Sequence, residues 1–340
     1  MELLKKNKSI LAAALFIAYI GICLSDPYYT IVGVQSLINA IAVMGIVIIS
    51  GYTRQIHLGQ AAFVGVGAYT SAVLMTQFGF NFWVTVPCAV ILATLIGIVL
   101  GIPTLKLSDG PYLALVTLIF GEIIYILCLN WESLTGGAFG LSKIPGPLLG
   151  EFSLRPKDRL LILTAVFMVL AYFIAKRIVN SKYGRFFISI RESEPAAQSV
   201  GINTMKYRIV AFAISSAYGG LAGVFYAQCF GFLNPDQFRW QISQTLLSMA
   251  IIGGIGNLTG GILGAIVLTA LPEVLRGFNA QMRMITYGLL VILVLTFIPD
   301  GLISLVGKRP SEILAMLKER IAAISDVRKR KKRRDARVNT

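Results

Sequence analysis

Residues able to do bond-making chemistry are scarce in this chain. The single histidine, His57, stands apart from any carboxylate pair, and Cys23, Cys88, Cys128 and Cys229 are scattered singly with no CxxC spacing. That pattern argues against a metal site, a disulfide framework and nucleophilic catalysis. The string Gly253-Gly254-Ile255-Gly256-Asn257-Leu258-Thr259-Gly260-Gly261 invites a phosphate-loop reading. Such a loop needs Lys and then Ser or Thr after its last glycine, to neutralise phosphate and to hold magnesium, and here Ile262 and Leu263 follow. The chain is expected to bind no cofactor or nucleotide of its own and not to be an enzyme.

Two polar features remain. Glu122 lies about eleven residues into an apolar segment that opens at Pro111. An ionisable group at membrane depth is costly and tends to face a partner or a pathway, so Glu122 is either a structural hydrogen-bonding group or a lining residue. The second feature is the polar run from Ser181 to Arg208, set between two apolar segments. Within it Ser193 and Glu194 suit a helix start, Pro195 is tolerated in a first turn, Ala196 and Ala197 favour helix, and Gly201 ends it. The predicted piece is about two turns, roughly 10 Å long, too short and polar to enter lipid. It reads either as a solvated connector or as an element that docks into a groove on a cytoplasmic motor. The near absence of charge inside the apolar segments places the driving force outside the chain, because a carrier driven by protons or ions usually carries several such groups; for the short helix itself these residues alone favour the connector.

These residues ride on a strongly apolar chain. Of 340 residues 56% are hydrophobic and 14% charged, the mean hydropathy is +0.75, and apolar runs reach about 20 residues, enough for a helix to cross a bilayer. Spans are predicted over 9–25, 30–50, 58–78, 82–102, 111–130, 159–177, 208–229, 244–271 and 284–305. The glycines from Gly253 to Gly261 interrupt 244–271, which is read as two shorter helices around a break. Counting the break as a reversal gives about ten membrane segments with both termini cytoplasmic. It also puts most of the 31 basic residues on that side, including Arg328-Lys329-Arg330-Lys331-Lys332-Arg333-Arg334.

The net charge of +15 is then explained by topology and by anionic inner-leaflet lipid, and no nucleic-acid partner is expected. Residues 1–307 read as one transmembrane domain, with a cytoplasmic loop at 181–207 and an outside loop at 131–158. Residues 308–340 read as a basic cytoplasmic tail, amphipathic over 311–325. The first apolar run passes into Asp26-Pro27-Tyr28 with no small-residue cleavage site and is taken as a retained span. The fold class is all-α, a polytopic inner-membrane helical bundle.

Small residues recur at helical spacing as Gly97 with Gly101, Gly219 with Gly223 and Gly260 with Gly264, the pattern of helices packed backbone to backbone. For Gly253, Gly254, Gly256 and Asn257 both close packing and a pathway or gating role stay open, and Gly136 and Gly137 in the outside loop are further pathway or gating candidates. Glu132, Glu151, Arg155, Lys157 and Arg239 are candidates for contact with an external protein.

Six blocks in order carry a resemblance: GQAAFVGVGAY (59–69), GPYLALVTLIFGEI (110–123), TGGAFGL (135–141), GRFFISIRESEPAAQSVGIN (184–203), GGLAGVFYA (219–227) and LPEVLR (271–276). Over about 40–305 the chain resembles the LivM-type permease subunits of branched-chain amino-acid ABC importers. The resemblance implies a second, LivH-like permease, two ABC ATPase subunits that use ATP and magnesium, and an extracytoplasmic substrate-binding protein, assembled in a bacterial-type inner membrane. It also implies that Arg191, Glu192, Glu194, Pro195, Ala196, Ala197 and Gly201 belong to the loop coupled to the ATPase. Glu194, Ala196, Ala197 and Gly201 match the coupling pattern, in which EAA is followed by glycine, with Pro195 interrupting the literal EAA.

Leucine, isoleucine and valine are the expected cargo, and urea or short amides are the alternative on the same machinery. An ATP-independent carrier or channel is the alternative of another class. A membrane-anchored nucleic-acid tether would depend on the basic tail, whereas an importer is expected to keep most of its transport after deletion of residues 326–340.

Overall fold

The computed structural model describes residues 16–107, 111–149, 152–277, 280–298 and 301–305. The amino-terminal part of the first predicted span and the tail 308–340, with its stretch 311–325, lie outside these. Residues 16–23 are helical. There follow α1 (Pro27–Ile46), α2 (Gln60–Thr76), α3 (Phe82–Leu107), α4 (Pro111–Asn130), α5 (Lys157–Val179), α6 (Lys182–Glu192), α7 (Glu194–Ser199), α8 (Thr204–Phe230), α9 (Trp240–Gly253), α10 (Leu258–Val274) and α11 (Ala280–Phe297). A two-residue hairpin pairs Leu148–Leu149 with Phe152–Ser153. Among the described residues five helices are long and apolar enough to cross a membrane, namely α1 with its extension to Gly51, most of α3, α4, α5 and α8. The chain is therefore an all-α, multi-pass membrane bundle with at least five spans.

The centre of the bundle is α1. Asp26 caps it by accepting the Tyr28 N–H at 2.7 Å, Pro27 fills the first turn, and the far end widens into a π turn over Val47–Gly51. Of the apolar window of α1 78% is buried inside the chain, against 22% for α4. So α1 is the post and α4 an outlying helix with an open face. Helix α8 lies against α1, α2 and α3, and glycine decides how closely. A Cβ on Gly67 would collide with the backbone of Gly220, and one on Gly223 with the backbone of Val64 and Ala68. Backbones in near contact gain dispersion that lipid tails cannot match, which is why small residues sit at such crossings. The expected pairs separate here: Gly97 is pressed onto the Ser216 side chain, whereas Gly101 has only ordinary van der Waals room beside Phe212.

The predicted span 58–78 is helical only over Gln60–Thr76, because residues 54–59 enter the bundle unwound. Bare backbone is tolerated at such depth only where protein satisfies it. Here the Leu58 N–H donates to Thr117 Oγ1 (3.0 Å) and the Ala61 N–H to Ser243 Oγ (2.9 Å). Gln60 Nε2 donates to the carbonyls of Ala42 (3.1 Å) and Ser215 (3.2 Å), midway along α1 and α8. His57 is fully buried beside it, with Nε2 3.2 Å from Gln60 Oε1. The predicted 284–305 segment also differs. Helix α11 stops at Phe297 and a 3-10 turn follows at Leu302–Leu305, after a left-handed Gly301 at φ +79°. Glycine adopts that φ without strain.

Candidate functional site

The polar run 181–208 folds as two helices where the sequence predicts one. Gly184, Phe187 and Ile190 are the buried residues of α6, spaced by three, so this helix lies on the bundle by one narrow stripe. Ser181 caps it by accepting the Tyr183 N–H at 3.1 Å. Glu192 is exposed, and Ser193 turns extended (φ −160°) and caps α7 through the Ala196 N–H at 3.4 Å. Pro195 occupies the first turn of α7, Ala196 faces out, and Ala197 is buried. Gly201, at φ +83°, stops the helix with its N–H on the Gln198 carbonyl (3.0 Å), while the Ile202 N–H reaches Ala197 (3.1 Å). Val200, 74% exposed, projects from this turn.

Both short helices are fastened to the long ones. Glu194 and Arg208 form an ion pair, and Gln198 Nε2 donates to Thr204 Oγ1 at 3.1 Å, which ties α7 to the first turn of α8. Arg191 Nη1 donates to the Gly51 carbonyl at 2.8 Å, which ties α6 to the π end of α1. A Cβ on Gly51 would collide with the Ile255 carbonyl, and a Cβ added at Gly256 would stand in ordinary van der Waals contact with the Arg191 guanidinium. Thus the glycine string and the polar run, some sixty residues apart in sequence, meet around Arg191. Gly253 abuts Gly260, and Gly264 abuts Met249 and Gly253, so α9 and α10 are packed backbone on backbone beside this point. Asn257 caps α10 by accepting the Thr259 N–H at 2.9 Å and the Gly260 N–H at 3.4 Å. Gly254 holds φ +117°, and Tyr172 of α5 adds a hydroxyl contact to Thr259 at 3.3 Å.

The other sequence candidates lie apart from this cluster. Gly136 and Gly137 are left-handed, at φ +75° and +57°, and Gly140 follows at φ +71°. Their backbone freedom lets 136–141 lie on the segment after α8, where Leu141 and Leu233 exchange N–H bonds at 2.8 and 2.9 Å. Phe139, 92% exposed, stands at the tip of this loop. Glu122, in the second half of α4, has a buried Oε1 with no hydrogen-bond partner among the described residues. One turn on, the Tyr125 hydroxyl donates to Asp236 Oδ1 at 3.1 Å, and the Arg239 Cζ lies 5.0 Å from the Tyr125 ring centroid. Asp236 and Tyr125 were not sequence candidates. The capping box at Asn234-Pro235-Asp236-Gln237, in which Asn234 accepts the Asp236 N–H, was the available signal for the first. Among the described residues no three His, Cys, Asp or Glu side chains come together as a metal site.

One substitution tests the turn that ends α7. Gly201→Ala is expected to lower the unfolding free energy by about 1 kcal/mol through its left-handed φ, with nothing near enough to clash. Thermal unfolding of the purified chain in detergent measures it, and an unchanged midpoint would mean that the turn relaxes freely.

A family model described as branched-chain amino acid transport system, permease component, matches residues 28–295. The high-affinity branched-chain amino acid transport system permease protein LivM of Escherichia coli is 34% identical over 321 residues, covering 88% of this chain and 75% of that protein. The probable LivM of Methanocaldococcus jannaschii is 29% identical over 238 residues, 63% of this chain and 67% of its own length. The autoinducer 2 import system permease protein LsrC of Yersinia enterocolitica is 27% identical over 252 residues, 72% and 60% respectively. No solved structure matches the chain.

Proposed function

Since this chain belongs to the family of branched-chain amino-acid transport permease components, we propose that it forms half of the translocation pathway of an ATP-driven importer for leucine, isoleucine and valine. A second, LivH-like permease supplies the other half, two ABC ATPase subunits dock on the cytoplasmic side, and a substrate-binding protein delivers cargo from outside. In this reading the chain makes about ten passes, α9 and α10 being two of them joined by the glycine turn, with both termini cytoplasmic.

The observation that carries the proposal is the fastening of α6 and α7. An element that transmits force must be short, polar and rigidly joined to the helices it moves. Arg191 grips the end of α1 beside the α9–α10 turn, and Glu194 grips the start of α8. Movement of the ATPase dimer against α7 therefore reaches the ends of α1 and α8 through single side chains. Val200 is the apolar residue offered to the motor groove, and Glu122 and the glycines from Gly253 to Gly256 are the pathway and gating candidates.

The test is uptake of radiolabelled leucine into proteoliposomes that hold this chain with its partner subunits, with and without enclosed ATP and binding protein. Uptake that needs both is expected. Uptake without ATP would point to an autonomous carrier. Hydrolysis stimulated by the binding protein without leucine uptake would keep the machine and replace the cargo with urea or a short amide.

On the outside, the loop 131–158 is the proposed meeting place for the binding protein, with Phe139 as its apolar contact. Phe139→Asp is expected to weaken binding-protein affinity about tenfold or more, since an exposed aromatic anchor is a typical hot spot. The affinity is read by titrating the binding protein against hydrolysis, and a wild-type titration curve would remove the loop tip from the interface.

A further inference from the structure

Away from α6 and α7, at the other end of α8, the chain gathers charged and aromatic groups around the pathway candidate Glu122. Glu122 and Tyr125 share one face of α4, a turn apart. Asp236 and Arg239 come from the turn between α8 and α9, and Tyr69 from α2. The Tyr125 hydroxyl donates to Asp236 at 3.1 Å, and the Arg239 guanidinium lies over the Tyr125 ring. Tyr125 is within electrostatic range of Asp236, Arg239 and Glu122, and Tyr69 within range of Asp236. Glu122 Oε1, Arg239 Nε and the Tyr69 hydroxyl are each buried, and none has a hydrogen-bond partner among the described residues. Tyr69 is only 5% exposed.

Unpartnered polar atoms are expensive in a membrane protein, and each one asks what completes it. Here the two signs of charge stand side by side without closing into an ion pair, since the guanidinium stacks on a ring instead. The chemistry that satisfies such a set carries both charges in one small body. An ammonium would lie between Glu122 and Asp236, and a carboxylate would lie beside the Arg239 guanidinium where it stacks on the Tyr125 ring.

We propose that Glu122, Asp236 and Arg239, framed by Tyr69 and Tyr125, form a recognition site for the zwitterionic head group of a free amino acid on the outer part of the pathway. The proposal rests on the importer reading above and narrows it, because urea and neutral amides lack both charges.

The test uses the assembled permease–ATPase complex in nanodiscs without binding protein. Binding of L-leucine is measured by saturation-transfer NMR, with leucinamide and N-acetylleucine as probes that each lack one charge. Leucine is expected to bind and to be displaced by neither analogue. Glu122→Gln and Arg239→Gln are each expected to raise its apparent Kd tenfold or more, and Arg239→Lys to retain part of the affinity while reporting on assembly. Unchanged leucine affinity in both Gln variants overturns the site, as does displacement by either analogue. So does weakened affinity for the binding protein with leucine binding intact, which would make the cluster a docking surface. A wild-type complex that neither binds nor imports leucine overturns the importer reading together with the site, whereas wild-type import with unaltered variants overturns the site alone.

Discussion

Glu194→Lys is expected to reduce ATP-dependent uptake at least tenfold while leaving the complex assembled. The wild-type carboxylate pairs with Arg208, and the two side chains are 25% and 17% exposed. Pairs so placed are worth more than a surface ion pair, and reversal sets two cations against each other. Helix α7 would then lose the ionic part of its tie to α8 and keep only the Gln198–Thr204 hydrogen bond, with its own caps at Ser193 and Gly201 untouched. Motion of the motor would be spent on a loose element. The charge-exchanged double variant, Glu194→Arg with Arg208→Glu, separates two roles for the carboxylate. Recovered uptake would mean that the pair serves as a fastener inside this chain. A double variant that assembles and stays inactive would place Glu194 against the ATPase itself. Uptake by the single variant at the wild-type rate would sink the coupling assignment of α7.

Gly223→Leu is expected to remove the folded protein. A Cβ at this position already collides with the Val64 carbonyl and the Ala68 nitrogen, neither of which can rotate away. Forcing four more heavy atoms between α8 and α2 costs about 3 kcal/mol or more, the upper end of overpacking penalties, against a total stability of only about 5–15 kcal/mol. The measure is the amount of monodisperse protein recovered in detergent and its unfolding midpoint. Gly121→Ala is the control, since nothing lies within 4 Å of its added methyl, and it is expected to behave as wild type. A stable Gly223→Leu protein would mean that α8 and α2 can separate without loss of the bundle.

The helical, membrane-crossing character of the chain was legible because hydropathy and length act locally. The ends of α4, α5 and α8 fall within a few residues of the predicted spans for that reason. The start of α2 was not legible. Leu58 is apolar and extends a helical pattern, but its N–H is taken by Thr117, 59 residues away, and a long-range bond leaves no periodic trace. Helix α6 was readable in principle from Gly184, Phe187 and Ile190, yet the basic residues among them obscured a stripe only three residues wide. The residues proposed for coupling could be picked out because caps and terminators are local. The attachment of Arg191 to Gly51 could not, for nothing in a glycine announces its neighbour. Likewise Glu122 stood out as a lone charge, whereas Tyr125 and Asp236 gained meaning only from being 3.1 Å apart.

The unwound stretch 54–59 also bears on how the protein is made. Gln60 reaches its Ser215 partners only after 155 further residues have been synthesised, and the Ala61 N–H waits for Ser243. Until then the Gln60 side chain and the Ala61 N–H, just after the unwound stretch, lack partners that lipid cannot supply. The amino-terminal third therefore cannot mature as it leaves the ribosome. It must be held by the insertion machinery or stay near the aqueous boundary until α8 arrives. A nascent chain that stalls before Ser215 would consequently present an unfinished segment to membrane quality-control proteases, which makes the assembly of this bundle a late and cooperative event.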